Sequence, residues 1–517
     1  MSKYSLFWGD SHTNLRTPHF DTLDETVRNA RAVLDFWPIA YYPQHTRTDL
    51  KGFNGLPVED WHPQEQIERE WGAICDVAAA NNDPGEFVAF CGYEWQGNAS
   101  SGDHNVFFLD DHQPLIQCDT LPELYAEILQ RGLQAFAIPH HTAYRTGIRG
   151  KDWSVHDREL SPFAEILSNH GCSESDEEWM GLRRNVSMGP GHTGGTIEDG
   201  LAAGSRFGII CSNDGHHGFA GVHGWGLMAC YAESLTRESL WEAFAARRVY
   251  GVSGDRIALD FTVDGAPMGS EIQATGPVHC EVRVRGGDAV DRIELIRNNR
   301  VIATHCHNGT WDLPEDDERI RCKLRLEVGW GVLTQGAGPE DPRHWQGRVE
   351  VSDGCIVSAE PCWSRPGQSL GETGGSACDF EFTTQPVGPK GENQQASLFE
   401  IEARPSDRVA LTLEGKRAEM TLREAMSRSS VIDFIDEAEA NVRDQFGVDP
   451  ATLPRRDRLY FMGHKSKVHR AIPDAGLDAV LVHNDEAPPS GFNHYRVRVS
   501  QRNGQMAWSS PVWVDCG

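Results

Sequence analysis

Short apolar segments alternate with amphipathic helical patterns along the first half of the chain, from Tyr4 to about Ser253. The apolar segments predict seven strands, which are Ser5 to Trp8, Phe36 to Tyr41, Phe87 to Cys91, Asn105 to Leu109, Ala135 to Pro139, Ala164 to Leu167 and Phe207 to Cys211. Strands and helices that alternate in this way are typical of repeated βα units. The sequence therefore predicts an α/β fold with a largely parallel sheet.

The second half of the sequence has a different hydrophobic periodicity. After about Arg256 apolar and polar residues alternate with a period of two, as in Val278 to Val284, and Asn503-Gly504 is typical of a hairpin turn. One helix of about Thr421 to Phe446 is predicted to begin at a capping box. We therefore predict two domains, residues 1–256 with the α/β fold and residues 257–517 with a β-rich, sandwich-like fold and a helical insertion at about 421–446.

The charge and composition of the chain argue against several classes of function. The chain has 517 residues, with 48 Lys and Arg against 76 Asp and Glu, for a formal net charge of −28. Such a chain is repelled by nucleic acid and by anionic membrane surfaces, so neither is an expected partner. No apolar run approaches the roughly 18 residues of a membrane span, and the first residues have no signal-peptide pattern. We expect a cytoplasmic protein whose 13 Cys, never spaced Cys-x-x-Cys, are reduced.

Polar residues with metal-binding side chains follow the predicted strands of the first half. In a barrel of parallel strands the carboxyl ends meet at one rim, so such residues converge although they are distant in sequence. Imidazoles with carboxylates suit Zn²⁺, Mn²⁺ or Fe²⁺ better than a soft ion. The candidate ligands on these strand ends are Asp10, His12, Asn14, Glu94, His104, His140, Asp214 and His216.

These residues lie in an ordered set of motifs that resembles the PHP (polymerase and histidinol phosphatase) superfamily of metallohydrolases. It is most similar to a poorly characterised branch that joins a PHP-like domain to a β-rich C-terminal region. The resemblance covers about residues 4 to 260. The motifs are Phe7-Trp8-Gly9-Asp10-Ser11-His12-Thr13-Asn14, Phe90-Cys91-Gly92-Tyr93-Glu94-Trp95, Gly102-Asp103-His104-Asn105-Val106, Ile138-Pro139-His140-His141, Glu165-Ile166-Leu167-Ser168 and Ser212-Asn213-Asp214-Gly215-His216.

The resemblance implies a distorted (β/α)₇ barrel that holds two or three divalent ions, Mn²⁺ or Zn²⁺, with Fe²⁺ as an alternative. Residue by residue, it implies that His12 and Asp214 ligate the first metal and that Glu94 bridges two. It also implies that His104 and His140 complete the second metal and that His216 belongs to a third.

Two motifs depart from the family pattern. Asn14 stands where the family has His, so it is either a weak ligand or leaves a position that Asp10 fills; Asp10 is alternatively a group that orients a His ligand. The usual Asp-His after the second strand is replaced by Tyr41-Tyr42-Pro43-Gln44-His45, which makes His45 a ligand candidate by proximity.

Two metals about 3.5 to 4 Å apart can activate a bridging hydroxide and stabilise the leaving oxygen, so hydrolysis is the expected reaction. His141 and His170 are candidates for the acid that protonates the leaving group, because imidazole titrates near neutral pH. Arg145 is a candidate clamp for a phosphate or carboxylate, with an exposed loop charge as the alternative.

The predicted function is therefore a metal-dependent hydrolase that acts on a small-molecule phosphoester. One alternative is a hydrolase of esters, amides or other C–O and C–N bonds, because the same metals serve those reactions. The other alternative is a binding protein with a degenerate barrel, which would retain metal weakly. A homo-oligomer is compatible with the sequence.

Overall fold

The computed structural model describes residues 3–52, 55–177, 189–311, 315–331, 342–385, 394–455 and 457–517. The chain divides into two compact units. Unit 1 comprises Met1–Gly286, Val290–His307 and Val480–Gly517, and unit 2 comprises Gly287–Ala289 and Asn308–Ala479.

Unit 1 contains most of the strands. They are β1 (Ser5–Gly9), β2 (Asn14–Leu15), β3 (Phe36–Pro38), β4 (Ala40–Tyr41), β5 (Gln44–Lys51), β6 (Pro57–Trp61), β7 (Val88–Phe90), β8 (Gly92–Trp95), β9 (His104–Phe108), β10 (Ala135–Pro139), β11 (Phe163–Ser168), β12 (Gly171–Cys172), β13 (Gly208–Cys211), β14 (Leu227–Ala232), β15 (Val249–Val252), β16 (Ala258–Val263), β17 (Ala266–Pro267), β18 (Glu271–Gln273), β19 (Val278–Arg285), β20 (Val290–Arg297) and β21 (Arg300–Cys306).

Unit 2 contains a second, shorter series. Its strands are β22 (Ile320–Gly329), β23 (Arg343–Val351), β24 (Cys355–Cys362), β25 (Ser369–Leu370), β26 (Ala377–Thr384), β27 (Gln395–Ala403), β28 (Arg408–Leu413), β29 (Lys416–Thr421), β30 (Ser430–Asp433), β31 (Lys465–Val468) and β32 (Ile472–Pro473). The chain ends with β33 (Asp478–Asp485), β34 (Phe492–Gln501), β35 (Met506–Ser509) and β36 (Val512–Asp515).

The helices fall into two groups. Those of unit 1 are α1 (Leu23–Arg31), α2 (Gln64–Ala80), α3 (Leu121–Gln130), α4 (Ile197–Ala202) and α5 (Arg237–Ala245), and those of unit 2 are α6 (Leu422–Ser427), α7 (Ile435–Phe446), α8 (Asp457–Met462) and α9 (Asp474–Leu477). Among the residues that the structure describes, no helix is long and apolar enough to cross a membrane.

The sheets of unit 1 mix parallel and antiparallel pairs, which agrees with a mixed α/β protein rich in strands. The largest runs β18-β36-β34-β35-β15-β14-β1-β3-β7, with β20 and β21 added at β34. Its neighbour runs β10-β9-β8-β4-β2, and a third sheet runs β12-β11-β13. Strands β1, β3 and β7 are parallel, as are β2, β4 and β8, and β11 and β13.

The distorted (β/α)₇ barrel is not found as a closed barrel among the described strands. The reason is that β14 pairs antiparallel with β1, and β9 pairs antiparallel with both β8 and β10. A (β/α) barrel has parallel strands throughout, so these antiparallel pairs depart from it, and the described strands lie in separate sheets instead.

The core of unit 1 explains why these strands form. Phe36, Phe90 and Phe107 are at most 1% exposed and pack with Phe244 of α5. Burial of each aromatic side chain contributes about 2 to 3 kcal/mol. The aromatic layer therefore holds α5 against the strands whose far ends carry the polar residues.

Unit 2 is built from two antiparallel sheets. One runs β24-β27-β22-β31-β30 with β32 paired to β22, and the other runs β25-β26-β23-β28-β29. Leu324 and Leu326 from the first sheet and Val349 and Leu411 from the second line one apolar interior. The alternation of period two in the sequence reflects this arrangement, because each sheet buries one face.

The prediction of a single helix at about 421–446 was wrong. Thr421 does cap a helix, since its Oγ1 accepts from the Glu424 amide at 3.2 Å, but that helix ends at Ser427. Strand β30 follows and pairs with β31 before α7 begins. The β-branched pair Val431-Ile432, preceded by serines, favours extended backbone, and the open edge of β31 supplies the partner.

Candidate metal centre

Several strands of unit 1 end at the same place and present imidazoles and carboxylates there. His12 lies after β1, His140 and His141 follow β10, His170 follows β11, and Asp214 follows β13. His12, His140 and Asp214 each offer a ligand atom, and these atoms lie within 4.8 Å of one another. His141, His170 and Asp214 form a second such group, so Asp214 is shared. We call these five residues the His–Asp cluster.

The orientation of His12 is fixed by a carboxylate. Its Nδ1 lies 3.0 Å from Glu165 Oε2, and the Ser212 hydroxyl donates to the same oxygen at 2.5 Å. The opposite nitrogen, Nε2, lies 3.3 Å from Asp214 Oδ1 and 3.5 Å from Glu94 Oε2. A carboxylate behind one ring nitrogen is the arrangement by which proteins direct the other nitrogen at a metal.

Several buried atoms of the site lack hydrogen-bond partners among the described residues. They are His12 Nε2, Glu94 Oε2 and both ring nitrogens of His140. All three residues are at most 4% exposed. An unpaired buried polar atom costs about 1 to 3 kcal/mol, so several at one point are explained by a ligand that they share. Imidazole and carboxylate donors fit a borderline divalent ion.

The pKa shifts of His140, His141 and Glu94 favour the forms that bind cations. Burial lowers the pKa of His12, but the neighbouring carboxylates outweigh burial and raise that pKa well above its usual value. Burial, followed by the charge of His12, lowers the pKa of His140 well below its usual value; burial and His170 do the same for His141. Both rings therefore stay neutral with a lone pair available. Burial raises the pKa of Glu94, but His12 outweighs it and the net pKa is lowered. This carboxylate therefore stays ionised.

Asp214 behaves in the opposite way. Burial, and then the charges of Glu165, Glu94 and Asp103, raise its pKa well above the usual range, although His12 opposes them. The four carboxylates repel one another in a region that excludes water. A divalent cation relieves that repulsion, because its charge becomes the largest in the site.

Asp10 is held by protein donors. Oδ1 accepts from the amides of His12 and Asn213, and Oδ2 accepts from the Thr13 hydroxyl and the Gly221 amide, at 2.5 to 3.1 Å. In this structure it fixes the segment that carries His12. Asn14 is fully buried, and neither atom of its side-chain amide has a hydrogen-bond partner among the described residues.

The structure does not bring His104 into the cluster. In the pairing of β8 with β9, Glu94 is opposite Asn105, so the adjacent His104 lies on the other face of the strand. His104 Nε2 is 3.1 Å from the Nζ of Lys151, a fully buried lysine whose pKa burial lowers to about 7. Asp103, the preceding residue, lies 3.6 Å from His141 Nε2 through its Oδ2.

Three further predicted residues are not among the five residues of the cluster, although the charge of His216, after that of His12, helps to lower the pKa of Glu94. His45, on β5, stacks on His62 with ring centroids 4.6 Å apart. His216 is solvent-exposed and contacts the edge of the Tyr42 ring at a centroid distance of 5.2 Å. Arg145 is exposed on the loop after His141.

His170, in contrast, lies at the open side of the cluster. Its Nε2 is 3.1 Å from Asp214 Oδ2, and its Nδ1 is 2.7 Å from the Tyr144 hydroxyl. The side chain of His170 is 15% exposed, whereas that of Asp214 is 3% exposed. His170 is therefore the cluster imidazole that solvent reaches.

Sequence reasoning missed three residues that border the cluster. Glu165 supports His12, Asp103 lies beside His141, and Arg149 donates to Asp103 Oδ2 at 2.5 Å. Glu165 carried a signal, because a lone carboxylate inside the apolar run of β11 requires a buried partner. Arg149 carried none, since its position depends on a backbone φ of +63° in a loop.

Comparison with known proteins finds a match between part of the chain and one family model. Residues 34–157 and 221–264 match the family model described as "Protein of unknown function (DUF3604)". An uncharacterized protein of Chlamydia trachomatis is 29% identical over 350 residues, which cover 63% of this chain and 54% of that protein. An uncharacterized protein of Chlamydia pneumoniae is 25% identical over 278 residues, which cover 50% of this chain and 44% of that protein. The chain therefore spans about half the length of these relatives.

A solved structure is also similar, at low overall agreement. It is a two-domain protein of Bacteroides vulgatus containing a predicted PHP-like metal-dependent phosphoesterase. The TM-score is 0.33 with 14% sequence identity, over 57% of this chain and 80% of that one.

Proposed function

We propose that this chain is a PHP-like metal-dependent hydrolase whose active site is the His–Asp cluster, and that its substrate is a small-molecule phosphoester. The observation that carries the proposal is the pair of ligand groups that share Asp214 and whose buried atoms include unpaired ones. His12 and His140 would hold one divalent ion with Asp214, and His141 and His170 would hold a second. Mn²⁺ or Zn²⁺ bound there would act as a Lewis acid on water and on the substrate.

Other residues of the chain orient the candidate ligands and control their protonation. Glu165 orients His12 and anchors the His141 amide, so one carboxylate fixes a member of each ligand group. Burial and the charge of His170 keep the pKa of His141 well below its usual value, which favours lone-pair donation over proton donation. His170 bonds the Tyr144 hydroxyl through Nδ1, which would direct its Nε2 at the second ion.

A guanidinium near the cluster supports an anionic substrate. Arg149, rather than the exposed Arg145, lies against Asp103 and Gln96, and its side chain is 28% exposed. Burial lowers the pKa of Arg149, but Asp103 and Glu94 outweigh burial and keep it raised, so the group stays charged. A fixed positive charge beside a metal cluster stabilises the charge that develops in phosphoryl transfer.

Metal analysis tests the proposal directly. The full chain is incubated with Mn²⁺ or Zn²⁺, dialysed and measured by elemental mass spectrometry, beside a His12→Ala, His140→Ala variant. The matched control is His279→Ala, which removes an exposed imidazole of β19. We expect about two ions in the wild type and the control, the loss of at least one in the variant, and a fall of about 100-fold in the hydrolysis of p-nitrophenyl phosphate.

Two results would contradict it. Less than one ion per wild-type chain after loading would remove the metal centre and favour a binding protein. Metal-dependent hydrolysis of carboxylic esters that 10 mM phosphate does not inhibit would retain the centre but assign it to C–O bond cleavage.

A further inference from the structure

A second group of charged residues borders the His–Asp cluster at the hairpin formed by β5 and β6. Glu59, on β6, accepts a hydrogen bond from the Tyr42 hydroxyl at 2.6 Å. Arg16 Nη2 lies 3.8 Å from Glu59 Oε1, and Arg149 Nη2 lies 4.0 Å from Glu59 Oε2. One carboxylate therefore sits between two guanidinium groups and a phenol, without a hydrogen-bond-length contact to either arginine.

The two arginines are built into the protein. The Arg16 guanidinium lies over the Tyr42 ring, 4.4 Å from its centroid, and its side chain is 27% exposed. Its Nε is buried and has no hydrogen-bond partner among the described residues. Arg149 is held by Asp103 and by the side-chain oxygen of Gln96 at 3.2 Å. Arg16 Nε thus keeps donor capacity that no residue of the described ranges uses, which is costly unless a ligand supplies an acceptor.

Hydrogen bonds connect this group to the candidate metal centre. The Gln96 side-chain amide donates to Glu94 Oε1 at 2.8 Å and to the Tyr42 hydroxyl at 2.9 Å. Glu94 in turn lies 3.5 Å from His12 Nε2. Two side chains, Gln96 and Glu94, therefore connect the arginine pair with His12 of the cluster.

We infer that Arg16, Arg149 and Tyr42 form an anion subsite for a second carboxylate or phosphate group of the substrate, which takes the place of the Glu59 carboxylate. The inference rests on the proposed function, because it names the class of phosphoester: one with an additional anionic group. Guanidinium groups pair with carboxylate or phosphate in a bidentate manner, and the phenol adds a third donor. Glu59 neutralises the arginines when no substrate is bound.

Glu59 is suited to being displaced. It projects from a two-stranded hairpin whose pairing is confined to β5 and β6, and its side chain is 35% exposed. Its contacts with the arginines are long, so they stabilise the closed arrangement only weakly. An anion that contacts both guanidinium groups at hydrogen-bond distance therefore gains more binding free energy than is lost when the long contacts of Glu59 are broken.

A binding experiment tests the subsite without any activity. The full chain as purified is titrated calorimetrically with inorganic phosphate and, separately, with acetate, which distinguishes the two anion chemistries. Glu59→Gln is expected to tighten binding by at least 3-fold, because it removes the competing charge, and Arg16→Gln is expected to weaken it by at least 10-fold. Arg131→Gln, at the exposed end of α3, is the matched control and is expected to change neither value.

A kinetic experiment tests the specificity. Phenyl phosphate and 4-carboxyphenyl phosphate differ only in the second anionic group. Arg16→Gln is expected to raise KM for the carboxylated substrate at least 10-fold while leaving both kcat values and the other KM within 2-fold. Arg16→Lys is expected to recover part of that loss, since it keeps the charge but not the bidentate geometry.

The outcomes separate this inference from the proposed function. If the loaded chain hydrolyses neither substrate but Glu59→Gln and Arg16→Gln shift anion binding in opposite directions, the subsite stands and the hydrolase does not. If both substrates are hydrolysed and Arg16→Gln changes the two KM values equally, the proposed hydrolase function is supported and the anion subsite is contradicted. Anion binding that neither variant changes also overturns it.

Discussion

Glu165 is the residue whose single side chain controls most of the candidate centre. Its Oε2 pairs with His12 Nδ1 and its Oε1 accepts from the His141 amide at 3.1 Å. We expect Glu165→Gln to lower the affinity for Mn²⁺ or Zn²⁺ about 10- to 100-fold, because an amide no longer enforces the tautomer that leaves His12 Nε2 free. Competition with a fluorescent chelator measures this affinity.

Ser212→Ala provides the matched control for that change. It removes the hydroxyl that donates to Glu165 Oε2 but leaves the carboxylate in place. We expect at most a few-fold loss of affinity, and a thermal unfolding midpoint close to that of the wild type in both variants. If Glu165→Gln binds metal as tightly as Ser212→Ala does, Glu165 does not position the ligand.

At the residue scale the sequence indicates which residue types gather at the candidate centre better than it indicates their geometry. His12, His140 and Asp214 each follow an apolar strand, and the structure brings them together. The sequence analysis selected His104, whereas the structure places its neighbour Asp103 beside His141. Neighbours on a strand point to opposite faces, and the first residue of β9 is set by pairing with β8. Such pairing is a tertiary property, and no local pattern specifies it.

At the scale of elements, β8 shows how tightly the strand that carries Glu94 is held. A Cβ on Gly92 would lie 2.6 Å from the carbonyl oxygen of Val106, on β9, and 2.7 Å from that of Ile39, between β3 and β4. We expect Gly92→Ala to lower the free energy of unfolding by about 1 to 3 kcal/mol, because the backbone atoms it meets cannot move independently. The same shift would displace Glu94, so metal retention is expected to fall as well.

Gly72→Ala is the control that separates the effect of steric crowding from the effect of replacing glycine by alanine. Gly72 lies inside α2, and a Cβ there would meet nothing within 4 Å. Alanine should raise the free energy of unfolding by about 0.5 to 1 kcal/mol, since glycine loses more conformational freedom in a helix. Urea denaturation measures both changes. Equal effects of the two substitutions would contradict the close approach at β8.

The elements also show where local patterns suffice. The strand predicted at Ala135 to Pro139 is confirmed as β10, and Thr120 caps α3 with the reciprocal Glu123 bonds that the motif predicts. Both depend on residues close in sequence. The helix predicted through residues 428–434 failed because the free edge of β31 was available, and amphipathic spacing carries no information about such a partner.

At the scale of the whole molecule, the sheet of unit 1 depends on the last forty residues of the chain. Strand β15 pairs with β35, and β34 and β36 continue the sheet beyond it. Trp508 of β35 is fully buried and packs in one core cluster with Ile166 and Ile209. The change of period at about residue 256 marks a change of sheet type, and the sequence holds no signal that strands from the far end return to this sheet.

A buried network of charged residues also connects Glu174 with the C-terminal strands. Glu174 receives hydrogen bonds from Arg496 at 2.5 Å, from Arg498 at 3.0 Å and from the Trp508 indole at 2.9 Å. Burial raises the pKa of the Glu174 carboxyl, but the two arginines outweigh it and hold that pKa below its usual range. Removing such partners leaves a buried charge uncompensated, at a cost of about 3 to 5 kcal/mol.

We therefore expect a fragment of residues 1–256 to fail to fold, although its alternating strand and helix patterns predict a separate α/β domain. Without the C-terminal strands it exposes the edge of β15, uncovers the core around Ile166 and leaves Glu174 unpaired. The measurement is far-UV and near-UV circular dichroism with size-exclusion chromatography, beside the full chain. Aggregation, or a species without near-UV signal, is expected. A monodisperse fragment that unfolds cooperatively and binds about two metal ions would contradict this and make residues 1–256 an autonomous domain.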